Sequence, residues 1–163
     1  MNRRESLRIL AAAFGGASLD PALAATVGDR VDWRDVTLLD GRTLPASALA
    51  GRVVVVEIWA SWCPFCAKQN PLLQQLYEAQ EARGLGFLTF SIDRDPATAR
   101  AYMTKHRYSF PAAMATAQSE KWFGPREGLP ELYVVDRDGG IVFREAKEMF
   151  PEDVQALARF ARR

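Results

Sequence analysis

The 163-residue chain is 48% hydrophobic and 25% charged, with 21 basic residues, 20 acidic residues and two cysteines, the profile of one globular domain with material for one sizeable core. Charge this balanced, with no long basic run to track a phosphate backbone, argues against nucleic acid as a partner. Two cysteines at positions 63 and 66 also exclude a disulfide scaffold, because a bridge between them closes too short a loop to restrain the unfolded chain.

The chain opens with "MNRRESLRILAAAFGGASLDPALA". Basic residues Arg3, Arg4 and Arg8 precede an apolar, small-residue segment from Ile9 to Leu19, and Ala22, Leu23 and Ala24 form a small-x-small site. This is the layout of a signal peptide over residues 1–24, cleaved after Ala24, and it predicts export to the periplasm. The apolar segment is too short and too rich in Gly and Ala for a membrane span. The adjacent arginines point to a twin-arginine route without its full consensus. An uncleaved anchor is the alternative, and Asp20 with Pro21 would break it. Without residues 1–24 the chain keeps 18 basic and 18 acidic residues.

"VTLLDGRTLPASALAG" then reads as a short strand, a turn at Asp40 and Gly41, and a helical turn ending near Gly51. Val53 to Ile58, β-branched at all but one position and without alternation, predict a strand buried on both faces. From Pro64 to about Arg83, Phe65, Leu72, Leu73, Leu76 and Ala79 recur at helical spacing, with Pro71 predicting a kink and Gly84 a stop. Leu85 to Ile92 reads as a second buried strand. Asp95 and Pro96 then cap a helix to about His106. "HRYSFPAAM" and "EKWFGPREG" read as a loop-rich span, with Phe110, Trp122 and Phe123 as core residues and Lys105, Arg107, Lys121 and Arg126 as a solvated face. "ELYVVDRDGGIVFRE" predicts a hairpin turning at Asp138 and Gly139, and Pro151 opens a last helix to Phe160. The sum is an α/β domain over residues 25–163, a mixed sheet with helices on both faces.

The pair Cys63 and Cys66 stands where the first buried strand gives way to a helix, in "VVVVEIWASWCPFCAKQNP". A metal site by this spacing needs further soft ligands, and the chain has no other cysteine and a single histidine, His106. Scattered Met103, Met114 and Met149 make a poor copper site. Dithiol redox chemistry suits the position, because the unpaired amides and dipole of a helix N-terminus favour a thiolate. Cys63 is therefore expected to attack a partner's disulfide, and Cys66, one turn on, to resolve the mixed disulfide.

The segment "VVVVEIWASWCPFC", with the DG turn before it and "FLTFSID" and "GLPELYVVDRDGGIV" after it, resembles the thioredoxin superfamily, in its exported TlpA-like, ResA-like branch, over about residues 34 to 160. The resemblance implies a thioredoxin fold and a thiol:disulfide oxidoreductase with no bound cofactor, exchanging with protein thiols and disulfides as a monomer. As a reductant it would draw electrons from a membrane dithiol donor. It implies that Pro130 is a cis-proline beside the dithiol, that Leu129 presents backbone to substrate, and that Trp62 is a partly exposed active-site tryptophan, with Trp59 in the core. Glu57 matches the buried acid of thioredoxin, a proton acceptor for Cys66; a carboxylate satisfied by Lys68 is the alternative. Reductases serving cytochrome c maturation commonly carry Glu at the position of Gln69, so this departure weakens a cytochrome role.

Pro64 contributes no amide hydrogen to the thiolate, and Phe65, where strongly oxidising relatives have histidine, offers neither charge nor donor. Both point to a reductant, with Phe65 also a rim hydrophobe for apolar partners. The alternatives are a disulfide-forming oxidant of the same fold, a peroxidase, for which Ala60 stands where threonine is needed, and a non-enzymatic metallochaperone or docking module.

Overall fold

The computed structural model describes residues 23–162. In chain order these form β1 (Val36–Thr37), β2 (Thr43–Leu44), β3 (Val54–Trp59), α1 (Pro64–Gln80), β4 (Gly86–Ser91), α2 (Pro96–His106), β5 (Ala112–Met114), α3 (Ala117–Phe123), β6 (Glu131–Val135), β7 (Ile141–Glu145) and α4 (Pro151–Ala156). Short 3-10 segments at Ala46–Ala48, Glu81–Arg83 and Leu157–Arg162 complete the order. The signal peptide expected over residues 1–24 lies outside the described residues except for Leu23 and Ala24.

β1 and β2 pair only with each other, and the main sheet runs β5-β4-β3-β6-β7. β3 is parallel to β4, and β4 to β5, while β6 and β7 are antiparallel. All six residues of β3 are buried, as a run without polar alternation requires cover on both faces. Val54, Val56 and Ile58 face a core shared with Phe90, Trp122, Phe123 and Tyr133. Val53 and Val55 face the other way, onto Leu73 and Leu76 of α1 and Val154 of α4. The two-residue period therefore places Glu57 and Trp59 on the α1 side of the sheet, directly below the helix that begins at the cysteines.

The expected helix starts hold. Cys63 caps α1 with extended backbone (φ -84°, ψ 115°) and Pro64 in the first turn; the Asp95 side chain accepts from Ala97 N at 2.9 Å to start α2. α1 continues through Pro71 to Gln80 and ends after one 3-10 turn at Gly84.

The loop-rich reading between α2 and β6 is corrected by β5 and α3. β5 is three residues of modest strand propensity, and its pairing with β4 through Thr89↔Ala112 to Ser91↔Met114 is decided by tertiary context. α3 begins with a reciprocal cap in which Thr116 Oγ1 accepts from Ser119 N (3.4 Å) and Ser119 Oγ from Thr116 N (2.9 Å). Serine in place of the usual Glu or Gln hides that signature in the sequence. Phe110, Trp122 and Phe123 are buried core residues as expected, and the last helix is regular only over Pro151–Ala156 before tightening to 3-10.

Ala24 and Ala25, which flank the expected cleavage point, are buried, and Ala25 N donates to Phe123 O at 2.8 Å. No helix among the described residues is long and apolar enough to cross a membrane.

Candidate active site

β3 ends at Trp59, and Asp93, buried just beyond β4, fixes the turn that follows. Its carboxylate accepts from Ser61 N (3.1 Å), Ser61 Oγ (2.7 Å) and Ser91 Oγ (2.7 Å). Three donors on one buried carboxylate hold the backbone two residues before Cys63. Asp93→Ala leaves these donors without an acceptor, and a cost of about 1–3 kcal/mol is expected. The measurement is the urea midpoint, which should fall with an unchanged m-value.

Cys63 and Cys66 are both free thiols. Both cysteines are buried, Cys63 at 4% exposure and Cys66 at 0%, which leaves Cys63 the less enclosed of the two. Cys66 N donates to Cys63 Sγ at 3.1 Å, the side-chain cap of α1. Pro64 has no N–H to add, and the Phe65 ring points outward, half-exposed. Burial pushes the Cys66 thiol well above its ordinary range, and the neighbouring Cys63 sulfur and Glu57 carboxyl push the same way.

Beneath the pair, Glu57 is fully buried. Gln69 Nε2 donates to Glu57 Oε1 at 2.7 Å. Gln69 Oε1 accepts from Met149 N at 2.7 Å, which fixes the orientation of the amide. Asn70, with its side-chain nitrogen turned inward, donates to Glu57 Oε2 at 2.9 Å and to the Cys66 carbonyl at 3.3 Å. Burial pushes the Glu57 carboxyl up to about 8, against the smaller downward pull of the Gln69 amide. Lys68 does not satisfy Glu57. It pairs instead with Glu148 at 3.5 Å and lies 5.4 Å from the centre of the Phe65 ring.

The structure brings the sequence-derived site residues together in one region. The Leu129–Pro130 peptide is cis, Pro130 is buried, and Leu129 packs on the cluster that includes Trp59, Ala60, Cys63 and Cys66. Trp62 and Phe65 stand out as exposed aromatics, at 65% and 50% exposure. Trp59 is fully buried and donates from Nε1 to Thr89 Oγ1 at 3.1 Å. The histidine, His106, lies against Tyr102 and Tyr108, with ring centres 4.5 and 5.5 Å apart. Among the described residues no group of three or more His, Cys, Asp or Glu side chains is placed to hold a metal ion. Two clefts, of about 500 and 460 Å³, lie toward β5 around Leu38, Leu39 and Arg100, and neither is lined by a cysteine. The dithiol thus faces an apolar rim suited to a protein surface.

Sequence reasoning missed Asn70 and Asp93. Asn70 had a usable signal, being four residues after Cys66 and so on the same helix face. Asp93 had none, because its contact with Ser61 depends on β4 lying beside β3.

A family model described as Redoxin matches residues 26–159. Among curated proteins, the chain is 25% identical over 127 residues to the thiol-disulfide oxidoreductase ResA of Bacillus thuringiensis (strain Al Hakam), covering 76% of this chain and 72% of that protein. It is 28% identical over 157 residues to a thiol:disulfide interchange protein, DsbE-2, of Pasteurella multocida (strain Pm70), covering 93% and 80%. Among solved structures, a thiol:disulfide interchange protein of the thioredoxin family from Chlorobium tepidum TLS superposes with a TM-score of 0.74 at 21% identity, covering 85% of this chain and 99% of that one. A secreted disulfide oxidoreductase of Mycobacterium tuberculosis gives 0.66 at 19% identity, covering 77% and 93%. At these identities the structural likeness establishes the fold.

Proposed function

The chain belongs to the Redoxin family and has the thioredoxin fold, and from that premise we propose that it is a thiol:disulfide oxidoreductase of the ResA and DsbE type, working as a reductant of protein disulfides. The observation that carries the reading is the Cys63 sulfur capping α1, with its partner Cys66 buried above the amide-clamped Glu57.

In the first step the Cys63 thiolate attacks one sulfur of the partner's disulfide. That S–S bond breaks, a Cys63–partner disulfide forms, and one partner thiolate leaves. In the second step the Cys66 proton passes to Glu57, and the Cys66 thiolate attacks the Cys63 sulfur. The second partner thiolate leaves, the partner gains two electrons, and the Cys63–Cys66 disulfide forms. The raised thiol of Cys66 keeps it protonated and inert until a base accepts its proton. The apolar rim of Trp62 and Phe65 covers the exchange, and Leu129 presents its backbone to the incoming chain beside Pro130.

The reducing direction is supported by what reaches the Cys63 sulfur. Pro64 has no donor, Phe65 points outward, and the Cys66 amide is the hydrogen bond that caps it. A dithiol with little extra stabilisation of its reduced form is a stronger reductant. Export through the signal segment places the protein in the periplasm, where it acts as a monomer recharged by a membrane dithiol donor. Gln69, which donates to Glu57 at 2.7 Å, stands where reductases of cytochrome c maturation commonly carry Glu, which disfavours a substrate in that process.

The test is reduction of insulin disulfides with dithiothreitol as electron source. Acceleration of the turbidity rise over dithiothreitol alone is expected. No acceleration, with a metal ion retained stoichiometrically after dialysis, would overturn the reading in favour of a metallochaperone.

A further inference from the structure

Arg144, on β7, reaches both ends of the loop that carries Leu129. Its Nη2 lies 2.7 Å from Glu131 Oε1 and 2.8 Å from Glu127 Oε2, and its Nε lies 3.2 Å from Glu131 Oε1. The guanidinium also sits 5.9 Å from the centre of the Tyr133 ring. The Glu131 side chain is wholly buried and Arg144 is 16% exposed, and Glu131 Oε2 has no hydrogen-bond partner among the described residues. Arg144 is therefore the cation that pairs with this buried carboxyl. The same loop also runs close against the residue that follows β7. Gly128 lies so close to the Ala146 carbonyl oxygen that a Cβ there would collide with it. The five residues from Glu127 to Glu131 are thus tied to β7 at Glu127 and Glu131, and Leu129, between those points, packs on the cysteine cluster.

We propose that Arg144 is a positioning residue for disulfide exchange, holding the Glu127–Glu131 loop so that the Leu129 backbone meets a substrate strand at Cys63. The inference rests on the reading of the dithiol as the reacting centre and of Leu129 as substrate-binding. A guanidinium suits the task because its planar fork serves two carboxylates at once, whereas an ammonium is a single point charge on a flexible stem. The clamp acts on the docking of an extended chain and not on the sulfur itself. It should therefore matter for protein substrates and not for a small reagent.

Two variants and two probes test it. Arg144→Lys keeps the charge beside buried Glu131 but loses the fork; Glu127→Gln removes only the 59% exposed arm and leaves no buried charge unpaired. The probes are insulin, with dithiothreitol as electron source, and iodoacetamide alkylation of Cys63. Arg144→Lys is expected to lower kcat/KM for insulin about tenfold, the scale of a modest misplacement of a docking group. Glu127→Gln is expected to lower it about threefold, the scale of a partly exposed ion pair. Both losses should lie in KM, with kcat and the alkylation rate within about twofold of the parent. Unchanged insulin kinetics in both variants would overturn the proposal, as would an alkylation rate falling in parallel with insulin reduction. If Arg144→Lys does not fold, Glu127→Gln alone decides between these outcomes. A parent protein that fails to reduce insulin refutes the dithiol reading itself, which separates the two failures.

Discussion

Replacing Cys63 by serine is expected to lower insulin reduction by about 10³-fold or more, equivalent to ~4 kcal/mol of barrier. A hydroxyl cannot supply the thiolate that attacks the partner's sulfur. Cys66→Ser has a different signature. The first attack remains available because Cys63 keeps its place at the head of α1, but no thiol follows to release the partner. That variant should accumulate a mixed disulfide, seen as a band shift on non-reducing gels that disappears with dithiothreitol. The asymmetry comes from burial, with Cys63 4% exposed and Cys66 at 0%. If Cys66→Ser lost activity without trapping a partner, or Cys63→Ser retained full turnover, the assigned order of attack would be wrong.

The second large effect belongs to Glu57. With its carboxyl pushed up to about 8 by burial, only about one tenth of the molecules carry a Glu57 carboxylate at pH 7. Resolution by Cys66 should therefore accelerate with pH, about tenfold per unit below the folded-state value and flattening above it. Glu57→Gln should remove this dependence and slow resolution at neutral pH, while the first attack, followed in the Cys66→Ser background, changes little. Equal slowing of both steps would remove Glu57 from proton transfer.

The same burial has an opposite sign for stability. The folded-state value of about 8 lies above the ordinary 4.5, so the folded protein binds the extra proton between these limits. This contribution is complete below about pH 4.5 and is lost as pH rises through about 8. The lost stability is on the order of 5 kcal/mol, about three and a half pKa intervals at 1.36 kcal/mol each. Glu57→Gln should therefore gain stability relative to the parent between pH 6 and pH 9, read from urea unfolding at both values. A constant difference between the two proteins across that range would contradict the buried, proton-binding Glu57.

Gln69 connects these predictions. The sequence shows only that a titratable acid is missing at that position. The structure shows the amide donating to Glu57 while its oxygen is held by Met149 N. Position 69 thus supports the acid instead of supplying it. Met149 lies 80 residues away along the chain, and no local pattern announces such a contact.

The dithiol, the buried β3 strand and the start of α1 were legible because each is written locally. A β-branched run, a proline in the first helical turn and two cysteines one turn apart need no knowledge of distant partners. Trp59 and Trp62 were told apart by the resemblance and not by any local pattern; in the structure Trp59 is buried and Trp62 exposed. What escaped depends on neighbours remote in sequence. β5 exists because β4 has an open edge, Asp93 reaches Ser61 across two strands, and Arg144 meets Glu127 and Glu131 only after the β6–β7 hairpin has closed. α3 was hidden by a cap that uses serine where glutamate or glutamine is usual.

Whether Cys63 and Cys66 form a reducing dithiol is decided by the reduction potential of the pair in the folded domain, equilibrated against thiol buffers and read by alkylation shift. A value of about -250 mV or below, the thioredoxin range, is predicted, because little beyond the Cys66 amide stabilises the Cys63 sulfur. A value more positive than about -200 mV, toward the disulfide-donating range, would contradict the account and identify the protein as an oxidant of thiols.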